Sequence, residues 1–146
     1  MTAANNKVVA TLLLAALLAL HPATADWRTC DEGEFDVTGG DVEPYPVRAG
    51  EEVVFHVNVT SGAPITGGLL EVWVDYLGFH VYSSQGDLCE AVACPLAAGT
   101  HTLTFRQSLP KVAPPGPYLG VFQARNQGGI LLFCIDINFR IAVWPA

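Results

Sequence analysis

The chain has 146 residues, enough for one ordinary domain with a substantial hydrophobic core. Its 7 Lys and Arg residues face 14 Asp and Glu residues, so the formal net charge is −7 with histidine neutral. A surface of this sign repels nucleic acid and offers no polybasic patch to anionic lipid. Nucleic-acid binding is therefore excluded as a function class.

The N-terminus has the pattern of a secretory signal peptide. Lys7 precedes the apolar run "VVATLLLAALLAL", and "ATA" at residues 23–25 is a small-residue cleavage site. The run is shorter than the about 20 residues of a comfortable bilayer span, which favours a cleaved peptide over an N-terminal anchor. We predict a signal peptide over residues 1–25 and one domain over residues 26–146. Cleavage would remove Lys7 and no acidic residue, so 14 acidic and six basic residues would give the mature chain a formal charge of −8. The predicted destination is the extracellular space or a vacuolar or endosomal lumen, since no retention signal selects between them.

The mature chain has the pattern of β-strands throughout. Apolar and polar residues alternate in "EEVVFHVNVT", "GLLEVWVDYLGFHVY", "HTLTFRQ" and "ILLFCIDINFRIAVW", which is typical of antiparallel sheets with one face on a core and one in solvent. In the last run the solvent-facing phase contains Cys134, Asp136, Asn138 and Arg140. Segments rich in Gly and Pro, among them "TGGDVEPYPVRAG" and "LPKVAPPGP", are predicted turns and loops. The pattern predicts an all-β fold, a β-sandwich or barrel of immunoglobulin-like shape.

One later stretch breaks the alternation. "PYLGVFQA" has apolar residues in both phases. It fits a strand covered on both sides, or a sheet edge that meets a ligand or another loop, and we favour the covered strand.

Four cysteines lie in a chain that is predicted to enter an oxidising compartment, namely Cys30, Cys89, Cys94 and Cys134. Disulfides are the default there, and four cysteines allow three pairings. The C-x₄-C spacing in "DLCEAVACPL" is not the C-x-x-C of a redox motif. Zinc sites typically use C-x₂-C pairs or neighbouring histidines, which this sequence lacks. We predict structural disulfides, no metal and no cofactor.

The sequence carries no recognisable catalytic motif. It contains no G-x-S-x-G elbow, no P-loop and no G-x-G-x-x-G fingerprint. His56 and His101 fall in the solvent-facing phase of their strands, whereas His80 lies between apolar neighbours and is a candidate ligand contact. We therefore predict that the protein is not an enzyme. One covalent modification is predicted, because "NVT" at Asn58 is an N-glycosylation sequon in the solvent-facing phase.

Several stretches occur in a distinctive order along the mature chain. A cysteine follows the predicted signal peptide, and then come "PYPVRAG", the strand with the sequon, "GFHVYSSQGDLCEAVACPLAAGT", "SLPKVAPPGPY" and a late cysteine in "LLFCIDINF". This order resembles the ML (lipid-recognition) domain family, which includes the Niemann–Pick type C intralysosomal cholesterol carriers and the mite group 2 allergens. The "PYPVRAG" and "PPGPY" forms are most similar to its plant-type branch.

The resemblance implies an immunoglobulin-like sandwich of two antiparallel sheets that separate around one lipid, without catalysis. It also implies the disulfides Cys30–Cys134 and Cys89–Cys94. The family usually carries a further short cysteine pair, and this chain has "EPYP" in its place. Known ligands in the family are sterols, phospholipids and lipid A-type glycolipids, and the missing pair weakens any transfer of ligand specificity to this chain.

A lipid carrier has to enclose its ligand, because an acyl chain gains on the order of 0.8 kcal/mol per CH₂ when it leaves water. The strand periodicity does not separate residues that line such a cavity from residues that fill a closed core. In the family the mouth lies between the segments that correspond here to Phe79, Val81 and Tyr82 and to Val112, Pro114, Pro115 and Tyr118, with Phe79 and Val112 as the expected gate. The predicted lipid-binding residues are Phe55, Val57, Val72, Val74, Tyr76, Phe79, Val81, Leu103, Phe105, Val112, Tyr118, Phe122, Phe133 and Ile135, with Phe139 as a further lining candidate.

We predict a monomeric lipid-binding and transfer protein that encloses a sterol or phospholipid and contacts membranes transiently. The alternatives are an extracellular immunoglobulin-like interaction module, which needs no hollow interior, and a lipid-sensing co-receptor without a transfer role. Acidification neutralises part of the negative charge, so transfer to anionic membranes is predicted to be faster at about pH 5 than at about pH 7.

Overall fold

The structure is a computed structural model that describes residues 25–143. The predicted signal peptide, apart from Ala25, and residues 144–146 lie outside the described residues. The elements are β1 (Asp26–Asp31), β2 (Asp36–Glu43), β3 (Glu52–Ser61), β4 (Leu69–Tyr76), β5 (Phe79–Asp87), a short helix α1 (Leu88–Ala91), β6 (Gly99–Ser108), β7 (Gly116–Arg125) and β8 (Leu131–Ile141).

The strands form two antiparallel sheets that pack face to face. The larger sheet has the strand order β1-β8-β7-β4-β5, and the smaller sheet has the order β2-β3-β6. The prediction of an all-β sandwich is confirmed. Because β5 and β6 are each the last strand of their sheet, one edge of the sandwich is bordered by two strands that make no ladder with each other.

The core lies between the sheets on the side of β3, β7 and β8. The alternation predicted for β3 is confirmed, because Val53, Phe55, Val57 and Val59 are buried and the residues between them are partly exposed. The side chains of Leu103 in β6 and of Phe133, Ile135 and Ile137 in β8 are completely or almost completely buried against this face. Each such side chain contributes roughly 1.5–3 kcal/mol by leaving water, so this half of the sandwich supplies most of the folding energy.

The prediction of a loop at "TGGDVE" is wrong, because β2 continues to Glu43. A β-bulge lies between Val37 and Gly39, where β2 pairs with β3. A Cβ atom at Gly39 would lie 2.8 Å from Asn58 Nδ2, and one at Gly40 would lie 2.8 Å from Ile135 Cδ1. The two glycines therefore permit the close approach of neighbouring strands and do not form a turn.

Two residues of β8 that were predicted to face solvent are buried. Cys134 and Asp136 are each 5% exposed, whereas Asn138 and Arg140 on the same face are exposed as predicted. The reason is that β1 pairs with β8 and supplies side chains to these two residues, with Cys30 in a disulfide with Cys134 and Arg28 against Asp136. Arg28 Nε donates to Asp136 Oδ2 at 2.9 Å, which compensates the buried carboxylate.

The stretch "PYLGVFQA" lies in β7, which pairs with β8 on one side and β4 on the other. Val121 and Phe122 are adjacent in this strand, point to opposite faces, and are both buried. The preference for a strand covered on both sides is confirmed.

Both disulfides implied by the resemblance are present. Cys30 and Cys134 join β1 to β8 with their Cα atoms 5.2 Å apart, and Cys89 and Cys94 join α1 to the segment after it with a Cα–Cα distance of 5.4 Å. Two disulfides in a domain of this size are typical of extracellular or lumenal proteins.

Candidate functional site

A cavity of about 780 Å³ opens at the edge between β5 and β6. The large sheet contributes residues of β4, β5 and β7, the small sheet contributes residues of β3 and β6, and α1 closes one end. The lining residues are Phe55, Leu70, Val72, Val74, Tyr82, Ser84, Gln85, Gly86, Asp87, Glu90, Ala91, Thr104, Phe105, Arg106, Gln107 and Phe122.

The cavity exists because the inner face of β5 carries small side chains. In the β4–β5 ladder Leu70 lies opposite Gly86, and Val72 lies opposite Ser84. Neither Gly nor Ser can fill the space between the sheets, so Leu70 and Val72 are only partly buried although they point inward. The same ladder would close as ordinary core if β5 carried large apolar residues at these two positions.

Three aromatic rings form the floor of the cavity. Phe122 lies with its ring centroid 4.9 Å from that of Phe55 and 5.1 Å from that of Phe105. Phe139 packs edge-on against Phe55 at 5.4 Å. These contacts separate the open half of the sandwich from the filled half, because behind the rings the side chains of Val57, Leu103, Phe133 and Ile135 are fully buried.

The rim of the cavity is polar. Tyr82 O–H donates to Gln107 Oε1 at 3.0 Å and so connects β5 to β6. Arg106 Nη1 donates to Glu52 Oε1 at 2.9 Å on the small-sheet side. At the other end Asp87 caps α1 by accepting from the Cys89 backbone N–H at 2.8 Å, which places Glu90 and Ala91 at the cavity. The short disulfide Cys89–Cys94 therefore braces one end of the mouth.

The opposite end of the mouth is held by two stacked tyrosines. The rings of Tyr76 and Tyr118 lie 4.6 Å apart, and their hydroxyl groups donate to the carbonyl oxygens of Pro115 and Pro114 at 3.0 and 2.7 Å. Burial, and secondarily the nearby Tyr76, raises the pKa of Tyr118 above its ordinary value of 10.0. The phenol therefore keeps its proton, and its bond to the proline-rich loop, further into the alkaline range than an ordinary tyrosine does.

Several large apolar side chains surround this end without covering it. Phe79 is 75% exposed and Val112 is 86% exposed, and Leu77 and Val81 are also exposed. Leu77 and Gly78 form the β4–β5 turn with φ angles of 51° and 81°. Such a turn normally carries Asn, Asp or Gly, so an exposed leucine is an unusual occupant. We call Leu77, Phe79, Val81 and Val112 the tip patch.

The predicted lipid-binding residues fall into four groups. The cavity is lined by Phe55, Val72, Val74, Phe105 and Phe122. The filled core contains Val57, Leu103, Phe133, Ile135 and Phe139, while Tyr76 and Tyr118 hold the proline-rich loop. Phe79, Val81 and Val112 belong to the exposed tip patch.

Sequence reasoning missed the lining residues Leu70, Ser84, Gly86 and Glu90, and also Gln85, Asp87, Ala91, Thr104, Arg106 and Gln107. The segment "YSSQG" contained a usable signal, since every second residue from Tyr82 points inward and two of the three are small. The alternation of small residues on a strand next to an apolar strand indicates an unfilled interior.

The polar clusters away from the cavity have ordinary structural partners. His80 Nδ1 lies 2.9 Å from Asp75 Oδ1, and His56 Nε2 lies 2.6 Å from Glu43 Oε1. Within residues 25–143 there is no group of three or more His, Cys, Asp or Glu side chains that could hold a metal ion. No helix in the described part of the chain is long and apolar enough to span a bilayer.

Together, the braced sandwich and its apolar cavity with a polar rim define a class of protein that encloses an apolar ligand between two sheets. Comparison with known families agrees. The profile of the ML domain matches residues 24–141, so the chain belongs to the ML-domain family. The family assignment made from the order of the sequence motifs is confirmed.

Individual relatives are distant in sequence. A Dictyostelium discoideum protein, named as a candidate phosphatidylglycerol/phosphatidylinositol transfer protein, is 24% identical over 143 residues, which cover 94% of this chain and 95% of the relative. The fold is similar to that of a Niemann-Pick type C2 protein from the Japanese carpenter ant, with a TM-score of 0.64, 13% identity, and coverage of 80% of this chain and 99% of the other. It is also similar to that of chicken MD-1 complexed with lipid IVa, with a TM-score of 0.60, 14% identity, and coverage of 84% and 94%.

Proposed function

We propose that this ML-domain protein carries one lipid, a sterol or a phospholipid, between membranes and performs no catalysis. The observation that supports this most strongly is the apolar cavity of about 780 Å³, which opens along an edge bordered by two strands that make no ladder with each other. A volume of this size lies within the range of ligand pockets. An extracellular interaction module would need no such hollow, so the cavity favours the carrier over that alternative.

A phospholipid is the preferred ligand class because it fits both parts of the site. Acyl chains would contact the floor formed by Phe55, Phe105 and Phe122, while the head group would remain at the rim. Arg106 is the single Lys or Arg among the lining residues; its Nη1 is paired with Glu52 Oε1, so its other guanidinium N–H groups would be offered to a head group, and Glu90 and Gln85 supply acceptors for hydroxyl groups. The name of the Dictyostelium relative, which specifies phosphatidylglycerol and phosphatidylinositol, is consistent with this choice.

Transient membrane contact is proposed to occur through the tip patch. Each large apolar side chain contributes roughly 1.5–3 kcal/mol when it is removed from water, so four of them support reversible docking. The formal charge of −8 expected for residues 26–146 gives no general electrostatic attraction to anionic membranes. The patch lies next to the mouth, so docking would bring the cavity to the lipid surface.

The remaining parts of the proposal concern signal-peptide cleavage, oligomeric state, location and glycosylation. Residues 1–25 are proposed to be removed as a signal peptide, and the mature protein is proposed to act as a monomer outside the cell or in a vacuolar or endosomal lumen. Asn58 is a proposed glycosylation site, because its side chain is partly exposed on the outer face of the small sheet and only its Oδ1 is engaged, by Thr102 Oγ1 at 2.7 Å. A glycan there would stand away from the cavity.

The primary test is identification of bound lipid. The protein is purified from a eukaryotic secretory host, its lipid is extracted and analysed by mass spectrometry, and a fluorescent sterol and a fluorescent phospholipid are then used in displacement assays. A stoichiometric lipid and displacement of one probe are expected. Absence of bound lipid together with absence of displacement by either class would overturn the proposal.

The docking surface is tested separately with vesicle-to-vesicle transfer. Phe79→Asp and Val112→Asp are expected to slow transfer while lipid binding in solution is retained. Ile130→Asp is the matched control, because Ile130 is an exposed apolar residue in the β7–β8 turn at the opposite end of the sandwich. Equal slowing in all three variants would show that added negative charge, and not the tip patch, determines the rate.

A further inference from the structure

The two long edges of the sandwich are held together very differently. On the β2–β8 side, the segments that flank β2 bond directly to β8 and the residue after it: Phe35 N–H donates to the Leu132 carbonyl oxygen at 2.8 Å, and Ala142 N–H donates to that of Val47 at 2.7 Å. Glu34 and Val47 add backbone bonds of 3.1 Å each to the same region. These main-chain bonds close both ends of this edge, and between them β2 packs directly on the large sheet, since a Cβ atom at Gly40 would lie 2.8 Å from Ile135 Cδ1 and 3.0 Å from Trp27 Cβ.

On the β5–β6 side there is no such closure. Among the described residues, the one side-chain hydrogen bond between β5 and β6 is that from Tyr82 O–H to Gln107 Oε1, at 3.0 Å. The connecting segments close only the two ends of this edge, through the backbone bonds between Ile65 and Leu96 and through Tyr76 and the Pro115 carbonyl. An edge secured in this way can open along its middle if the Tyr82–Gln107 bond breaks.

Local structure positions both partners of this bond. In the β4–β5 ladder Val74 pairs with Tyr82 and Asp75 pairs with His80, so Val81 is the extra residue of a β-bulge. The bulge allows His80 to reach Asp75 on the outer face while Tyr82 lines the cavity. On β6, Gln107 Nε2 donates to the Ser108 carbonyl oxygen at 3.1 Å, and this orients the amide so that Oε1 faces the tyrosine.

We propose that the Tyr82–Gln107 bond is a latch across the lipid opening, and that its breaking controls the rate at which lipid enters and leaves the cavity. The inference rests on the proposed lipid-carrier function. The latch lies over the opening and contributes little to the apolar contact surface, so it acts on the barrier to passage and not on the equilibrium between bound and free lipid. Its loss therefore raises the uptake and release rates by the same factor.

The test uses Tyr82→Phe, which removes the donor hydroxyl and keeps the aromatic ring. Uptake and release of pyrene-labelled phosphatidylglycerol and of dehydroergosterol from neutral vesicles are followed by stopped-flow fluorescence, and equilibrium affinity is measured in parallel. One neutral hydrogen bond predicts rates about 2- to 12-fold faster for Tyr82→Phe, with a change in affinity much smaller than the change in rates. Gln107→Ala is expected to match it, and the double variant to add nothing further.

Two further variants separate the latch from general destabilisation. Gln107→Glu keeps an acceptor oxygen for the tyrosine but loses the bond from Nε2 to the Ser108 carbonyl oxygen, so its rates are expected to lie between those of the wild type and of Gln107→Ala. Tyr45→Phe is the matched control, since Tyr45 is a partly buried tyrosine in the β2–β3 loop, which does not line the cavity. The latch is refuted if the wild-type protein transfers lipid but Tyr82→Phe has the same rates as Tyr45→Phe. It is also refuted if Tyr82→Phe changes the affinity as strongly as the rates. If the wild-type protein transfers neither probe, the carrier function itself fails and the latch fails with it.

Discussion

Leu70 and Leu103 provide a matched pair of substitutions that distinguishes an open cavity from a filled core. Both leucines lie in the inward phase of their strands, yet Leu103 is fully buried and Leu70 is partly buried beside the cavity. Leucine-to-alanine replacement removes the same three carbon atoms at each position. Only the packing around the two side chains differs, so a difference in lost stability or affinity reports whether each leucine lies in a filled core or beside a cavity.

The structure sets the expected magnitudes. Leu103→Ala leaves a void in a close-packed region and is expected to lower the free energy of unfolding by about 3–5 kcal/mol. Complete burial of three carbons contributes about 2.4 kcal/mol, and partly buried Leu70 already realises most of this, so Leu70→Ala is expected to cost roughly 1.5–2 kcal/mol in the lipid-free protein. The remainder, at most about 0.9 kcal/mol, is gained only when lipid covers the side chain. Leu70→Ala should therefore weaken lipid binding by about 2- to 4-fold.

Two assays measure these quantities. Urea denaturation of delipidated protein gives the free energy of unfolding, and displacement of a fluorescent phospholipid gives the affinity. The expected pattern is a large stability loss with nearly normal affinity for Leu103→Ala, and a smaller stability loss with a clearly reduced affinity for Leu70→Ala. Equal stability losses with no loss of affinity in Leu70→Ala would refute the assignment of this region as the lipid cavity.

Three further predictions concern the disulfides, Tyr118 and pH. Replacing Cys30 and Cys134 by serine should lower the free energy of unfolding by about 4.7 kcal/mol, because their sequence separation is 104. Replacing Cys89 and Cys94, separated by 5, should lower it by about 2 kcal/mol. Denaturant titration measures both losses, and a larger loss for the short pair would contradict the loop-entropy account. The raised pKa of Tyr118 means that the unfolded chain ionises first, so its contribution is fully present below about pH 10 and is lost as pH rises through the folded-state pKa. Above about pH 10 the Tm should therefore fall less steeply with pH in Tyr118→Phe than in the wild type. Parallel curves of Tm against pH for the two proteins would count against this role of Tyr118. Transfer to anionic vesicles should be faster at about pH 5 than at about pH 7, because protonation reduces the negative charge; a flat or falling rate would remove the electrostatic explanation.

Those parts of the fold that depend on local pattern could be predicted from the sequence. The strict alternation in β3 identifies Val53 to Val59 as a buried face, and the apolar character of β7 in both phases identifies a covered strand. The two disulfides followed from the family resemblance, because four cysteines alone leave three pairings open.

The parts that depend on strand neighbours could not be predicted in the same way. Asp136 is buried because β1 happens to lie beside β8 and supplies Arg28, and a single-strand pattern contains no information about that neighbour. Similarly, Val72 lines a cavity whereas Val57 fills the core, although both occupy the apolar phase of an alternating strand. Each valine pairs with one small residue, Ser84 for Val72 and Gly40 for Val57, so the ladder alone does not distinguish them. The difference arises across the sandwich, because Ile135 of the large sheet packs on Gly40, whereas Ser84 lies at the open edge of the cavity.

The three inward-facing residues of β5 have a consequence for how the lipid preference of such a carrier can change. Tyr82, Ser84 and Gly86 lie on an outermost strand, away from the aromatic and aliphatic residues that stabilise the sandwich. The dimensions of the lipid chamber are thus encoded separately from the information that folds the protein. Exchanging these few positions for larger or smaller residues would resize the chamber while the remainder of the domain stays intact, so relatives could diverge in cargo without redesigning their cores. For the same reason, this strand is the natural place to engineer a carrier for a chosen lipid.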